Sequence, residues 1–111
     1  MYITSSMTIS EIQRAFNIAF PYLSVELPEG VGDKNCSVHS CKVTGEMTVT
    51  KVEAMFDKAL GCESKILRQT GTVWVATERT KEWTLTRQNE RGKEFSATLH
   101  TSSGQQNKTN V

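Results

Sequence analysis

Histidine, proline and cysteine are scarce in this chain of 111 residues: two, two and three copies. Each scarcity excludes something. Three cysteines (Cys36, Cys41 and Cys62) are too few, and odd in number, for the disulfide framework of a small secreted domain. With only His39 and His100 available, a histidine-based catalytic or zinc centre has little to draw on. Neither charge sign dominates: 13 Lys and Arg face 12 Asp and Glu, a net charge of +1, which argues against a polybasic binder. No run approaches the roughly 18–20 apolar residues of a membrane span. The segment Met1–Ser10 has neither the basic lead nor the apolar stretch of a secretory signal. Gly-x-Ser-x-Gly, a phosphate-binding glycine loop and His-Glu-x-x-His are all missing. The expectation is a cytoplasmic protein with no membrane partner, no cofactor and no catalytic residues.

What the chain does contain is ordinary for a folded domain, with 37% apolar and 23% charged residues. Its length suits one modest core and is too short for a (β/α)₈ barrel. The strongest internal signal is a repeat. Laying residues 41–67 over 1–27 without a gap pairs Thr4 with Thr44, Met7 with Met47, Thr8 with Thr48, Phe16 with Phe56 and Ala19 with Ala59. Ile3/Val43, Ile9/Val49 and Ile12/Val52 keep the apolar pattern in phase, so each copy reads as the same unit.

That unit reads strand, helix, strand. In the first copy Thr8 supplies an N-cap oxygen, and Glu11 three residues on completes a capping box. Ile9, Ile12, Phe16, Ala19 and Phe20 recur at helical spacing until Pro21 ends the helix. Residues 22–27 then alternate as a half-buried strand. In the second copy Thr48 caps a stripe of Val49, Val52, Met55, Phe56, Ala59 and Leu60, with Gly61 at the C-cap. Lys51 replaces Glu11, so Thr50 with Glu53 offers a cap two residues later. Glu11, Glu53 and Asp57 read as solvent-facing helix positions. Residues 28–35 read as loop, and Cys36 to Val43 as a strand entering the second copy.

After the second copy, a turn at 70–72 predicts that Val73–Thr77 pairs back as a hairpin. Residues 83–92 predict a short helix capped by Thr84 and stopped at Gly92; from residue 98 the chain is polar and reads as a disordered tail. The fold class expected is α+β: a two-layer α/β sandwich from a duplicated βαβ unit, ferredoxin-like, with both helices on one face of a mixed sheet. A single domain is expected over 1–97, with repeats at 1–27 and 41–67, a loop at 28–40 and a C-terminal addition at 68–97.

Three surfaces suggest function. Residues 68–94 carry six basic and four acidic groups with both tryptophans, and Arg68, Trp74, Arg79, Trp83 and Arg87 are the candidate binding residues. On one sheet face, Arg68, Trp74 and Arg79 would form a platform for a single-stranded base. Cys36, His39 and Cys41 form a weak metal or thiol candidate, although an extended strand turns Cys36 and Cys41 to opposite faces. A sheet face with no evident cover favours a protein partner or a homodimer. The leading expectation is a non-catalytic binding or self-association module, with single-stranded nucleic-acid binding as its alternative. Charge is also uneven: residues 1–67 hold six basic and eight acidic groups, residues 68–111 seven and four, which directs any anionic partner to the C-terminal part.

The first helix from Thr8 to Pro21, the segment from Thr48 to Phe56, Arg68–Trp74 and Trp83–Glu94 together resemble a group of small Bacteroidetes proteins of about 100 residues with no established activity. The stretch from Gly71 to Gly92 is the most specific part. The resemblance implies a domain over residues 1–95 and a bacterial cytoplasmic origin, and the loop at 28–40 diverges from it.

Overall fold

A computed structural model describes residues 1–36 and 40–96. Strand β1 (Tyr2–Thr4), helix α1 (Ile9–Ala19) and strand β2 (Leu23–Glu26) form the first unit; β3 (Ser40–Lys42), α2 (Val49–Leu60) and β4 (Lys65–Thr70) form the second. β5 (Val73–Ala76), a 3₁₀ turn (Glu78–Thr80) and a helix over residues 85–96, α3, complete the chain. No helix among the described residues is long and apolar enough to cross a membrane.

The protein is α+β, but its strands do not form one mixed sheet. β1 pairs with β3, while β2, β4 and β5 form a separate sheet in that order, and every pairing is antiparallel. Both strands of one unit therefore fall in different sheets. Register explains why: Tyr2 lies opposite Lys42, and Val25 and Glu26 lie opposite Ile66 and Lys65. The separations centre on forty (40 for Tyr2–Lys42, 41 for Val25–Ile66 and 39 for Glu26–Lys65), so equivalent strands of the two units pair about a local twofold. Phe16 and Phe56 meet edge-to-face at this junction, 5.6 Å between centroids, with Ile3, Ile9, Ile12, Val43, Val49, Val52, Leu23 and Ile66 buried around them.

The caps form as the sequence predicts in both copies, with the later cap offered by Thr50 and Glu53 not used. Thr8 accepts from the Glu11 N–H and the Glu11 carboxylate accepts from the Thr8 N–H, a closed capping box. Thr48, not Thr50, caps α2, accepting from the Lys51 N–H, and Gly61 holds the left-handed C-cap. Ala19 is exposed where its counterpart Ala59 is buried, so the first stripe is Ile9, Ile12 and Phe16 with Phe20 half-buried.

Glu53 and Asp57 are not simply solvated. Glu53 Oε2 accepts from the Ile66 N–H at 2.9 Å, and Asp57 Oδ1 accepts from the Ser64 N–H and hydroxyl. Forty residues earlier, Gln13 Nε2 donates to the Val25 carbonyl and Asn17 Nδ2 to the Leu23 carbonyl. Each helix thus clips the strand that follows it at the same two peptide units, from opposite ends.

A third instance of the cap turn appears at 80–86. Thr4-Ser-Ser-Met7-Thr8-Ile9-Ser10, Thr44-Gly-Glu-Met47-Thr48-Val49-Thr50 and Thr80-Lys-Glu-Trp83-Thr84-Leu85-Thr86 share threonine at the first and fifth places and a buried aliphatic at the sixth. Each closes by the same bond, from the N–H of Met7, Met47 or Trp83 to the carbonyl of Thr4, Thr44 or Thr80. The second and third instances pair reciprocally: Val49 N–H to Trp83 O, Leu85 N–H to Met47 O, Thr50 N–H to Lys81 O and Thr86 N–H to Gly45 O. The first instance pairs likewise with Val31–Cys36, through Ile9 N–H to Lys34 O, Ser10 N–H to Gly32 O and Cys36 N–H to Met7 O. The 28–35 loop is therefore a structured counterpart of the cap turn, and Cys36 belongs to it, not to β3.

Gly92 does not stop α3. The helix runs through it, and a Cβ there would lie 2.8 Å from Tyr22 Cβ and 3.0 Å from the Gln69 carbonyl oxygen. A bare backbone lets α3 lie directly on the sheet.

Candidate guanidinium–aromatic site

Arg68 originates on β4 beside Ile66 and opposite Leu23 and Val75, on the sheet face covered by helices. An arginine on an apolar face must carry its charge out along its stem. Here α3 receives it. Arg68 Nη1 donates to Gln88 Oε1 at 2.9 Å, and the guanidinium carbon stands 5.8 Å from the ring centroids of both Trp83 and Phe95. Gln88 is fully buried, and its amide nitrogen donates to the Thr80 carbonyl at 2.9 Å and to the Thr80 hydroxyl at 2.6 Å. A buried amide with donors and acceptor all engaged is a rigid holder. Arg68 Nε is buried without a partner among the described residues. Burial, and secondarily the positive charge of Arg91, push the Arg68 guanidinium below the usual arginine range.

Two further guanidiniums flank it. Arg87 stacks on Trp83 at 3.9 Å, and Arg91 on Phe95 at 4.4 Å. The groups alternate in space as Arg87, Trp83, Arg68, Phe95 and Arg91. An open cleft of about 340 Å³ lies against Arg87, Trp83 and Arg91, with Glu90 and Glu94 completing its lining. Arg91 is ion-paired with Glu94 at 3.3 Å; Arg68 and Arg87 have no carboxylate partner among the described residues. The Tyr22 N–H donates to Asn89 Oδ1 at 2.8 Å, tying α3 to the start of β2.

The structure thus brings together Arg68, Trp83 and Arg87 of the residues singled out in the sequence. Trp74 lies elsewhere: it pairs with Gln69 across β4–β5, so it projects from the face opposite Arg68, 43% exposed. Arg79 sits exposed in the 3₁₀ turn. Gln88, Arg91 and Phe95 were not foreseen. The signal that finds them is the third threonine turn, which sets the frame of α3 and aligns Gln88 with Ile12 and Val52.

The cysteine candidate resolves differently. The Cys36 thiol donates to the Thr4 carbonyl at 3.0 Å, and Cys41 lies opposite Ile3. Burial, and after it the neighbouring Cys36, raise the Cys41 thiol above its usual range, which keeps it protonated. His39 lies outside the described residues, and among those no group of three His, Cys, Asp or Glu could hold a metal. Cys62 packs half-buried against the core. His100 and the polar segment from residue 98 also lie outside the described residues.

Ahead of α3, Lys81 bridges Glu53 at 3.6 Å and Glu78 at 3.5 Å. Glu53 first and Glu78 second hold its ammonium above the usual lysine range. This pair fastens the third turn to α2 and stands apart from the cleft.

No family model matches the chain, and neither a curated protein nor a solved structure does.

Proposed function

We propose that the protein is a non-catalytic binding module whose β4–α3 site takes a carboxylate-bearing segment of a protein partner. One observation carries this reading: Arg68 and Arg87 are held in place by neutral groups, Gln88 and Trp83, and neither is neutralised by a carboxylate among the described residues. Guanidinium groups donate to a carboxylate without transforming it, and here Gln88, Trp83 and Phe95 hold them in position. A planar fork that is already oriented loses little freedom on accepting a carboxylate.

Charge favours a short acidic motif over a polyphosphate. Glu90 and Glu94 line the same cleft as Arg87 and Arg91, so its lining holds as many carboxylates as guanidiniums. A continuous phosphate backbone is drawn by several uncompensated cations. Single-stranded nucleic acid bound by base stacking would also want a free aromatic face beside Arg68, and Trp83 already carries Arg87.

The test is a fluorescence titration of Trp74→Phe, in which Trp83 is the only tryptophan. A glutamate-rich peptide at low salt should change the emission, and Arg87→Ala should weaken that response. No response to the peptide defeats the reading. A stronger response to a single-stranded oligonucleotide transfers the site to nucleic acid.

A further inference from the structure

The three-stranded sheet has two outer edges, and they differ. Along β2, Leu23 and Val25 turn their carbonyls outward, since the Tyr22 carbonyl accepts from the Gln69 N–H of β4. Gln13 and Asn17 occupy those outward carbonyls, so α1 closes this edge.

Among the described residues, β5 has no such cover. Its hairpin has a two-residue loop, Gly71-Thr72, with Gly71 at φ 68°, so Thr70 and Val73 form the closing hydrogen-bonded pair. Parity then directs Val73 and Val75 toward β4, and Trp74 and Ala76 away from it. No side chain among the described residues bonds the main-chain groups of Trp74 or Ala76. Natural edge strands are blunted by charge, proline or a bulge. The strand Val73-Trp-Val-Ala76 holds no charge and no proline, and its register to β4 is unbroken.

We infer that the β5 edge pairs with β5 of a second copy, antiparallel, extending the sheet to six strands. The choice of a second copy follows from self-complementarity. A twofold at Val75 sets Trp74 opposite Ala76 of the other copy, and Ala76 opposite its Trp74. Those are the residues with outward N–H and C=O groups, so each pair exchanges two main-chain hydrogen bonds, four in all. The size match is equally direct: each indole, 43% exposed in the single chain, lies over an alanine. No Asp, Glu, Lys or Arg occurs from Gln69 to Thr77, so the twofold brings no like charges together. Four bonds and two indoles make a small interface, below the roughly 1,200 Å² of stable complexes, so the dimer is concentration-dependent. This surface is separate from the guanidinium–aromatic site and does not depend on it.

Two measurements on the unaltered protein test the pairing. Sedimentation velocity across a wide concentration range should show weight-average mass rising from 12.4 kDa toward twice that value. Hydrogen exchange at the Trp74 and Ala76 amides should slow as concentration rises, while exchange at exposed loop amides stays constant. Trp74→Lys, which places two lysines across the junction, should hold the mass at monomer. Ala76→Pro removes only an outward N–H and should do the same. Constant mass, or Trp74 and Ala76 exchange insensitive to concentration, overturns the inference. A dimer that persists undiminished in Trp74→Lys overturns it as well, even if the proline variant fails to fold.

Discussion

Helices α2 and α3 start alike, on Thr48-Val49-Thr50 and Thr84-Leu85-Thr86, with Val49 and Leu85 both fully buried. They part at the next inward positions. Where α2 buries Val52 and Phe56, α3 has Gln88 and Gly92. The first helix follows α2, with Ile12 and Phe16. One turn geometry therefore serves two ends. In the first two instances the helix face fills a core. In the third a buried amide grips Arg68, and a missing side chain lets the helix approach the sheet closely enough for that grip. Apolar burial has been exchanged for a fixed polar arrangement, and such exchanges cost stability unless every polar atom is met.

The comparison breaks hardest at the aligned pair Phe56 and Gly92. Phe56→Ala empties the centre of the core and should cost about 3–5 kcal/mol in a denaturant melt. Gly92→Ala should also destabilise, although alanine in a helix ordinarily gains about 1 kcal/mol over glycine. The new methyl meets Tyr22, Gln69 and Arg68, and overpacking of this kind costs about 1–3 kcal/mol. A more stable Gly92→Ala would show that α3 does not depend on close approach.

Gln88→Leu sharpens the comparison by restoring the apolar face of the other two helices. It leaves the Arg68 guanidinium without its acceptor and the Thr80 carbonyl without that donor, a loss of about 1–3 kcal/mol in the same melt. The Trp83 response to acidic peptide should fall with it. An unchanged peptide response would remove Gln88 as a positioning residue.

The smallest effect separates α1 from α2. Hydrogen bonds from the Thr8 N–H, and then its side chain, hold Glu11 below the usual glutamate range, whereas α2 has Lys51 at that place. A depressed carboxylate contributes stability above its unfolded value and loses it as pH falls through the folded one. Acid titration followed by residue-resolved exchange should loosen the first turn of α1, and Glu11→Gln should flatten that pH dependence. The site is fully exposed, so the change is slight.

Local chemistry made much of this structure legible. Thr8, Thr48 and Thr84 cap helices because their oxygens meet orphan amides, and the Phe16 and Phe56 stripes follow from 3.6-residue spacing. The β4–β5 hairpin was legible from its turn, but the partners of β1, β2 and β3 were not. Both a mixed sheet and two antiparallel sheets satisfy the same alternation, and only long-range packing separates them. Gly92 read as a stop because its intrinsic preference is poor, yet contact with Tyr22 decides the position. The split between Arg68 and Trp74 was within reach: a two-residue loop at Gly71-Thr72 fixes the register, and with it the opposite faces. Arg91 and Phe95 were hidden because the third turn sits thirty-six residues after the second, out of step with the forty-residue repeat.

The clips between helices and strands have a further consequence. Links of three residues before β2 and four before β4 already tie each helix to its own strand, and the polar clips match that assignment. Gln13 and Asn17 reach carbonyl oxygens, while Glu53 and Asp57 reach N–H groups of the corresponding peptide units. Exchanging the helices would set carboxylates against the outward carbonyls of Leu23 and Val25, oxygen facing oxygen. The two pairs of side chains work as a lock that only one assignment of the halves can close.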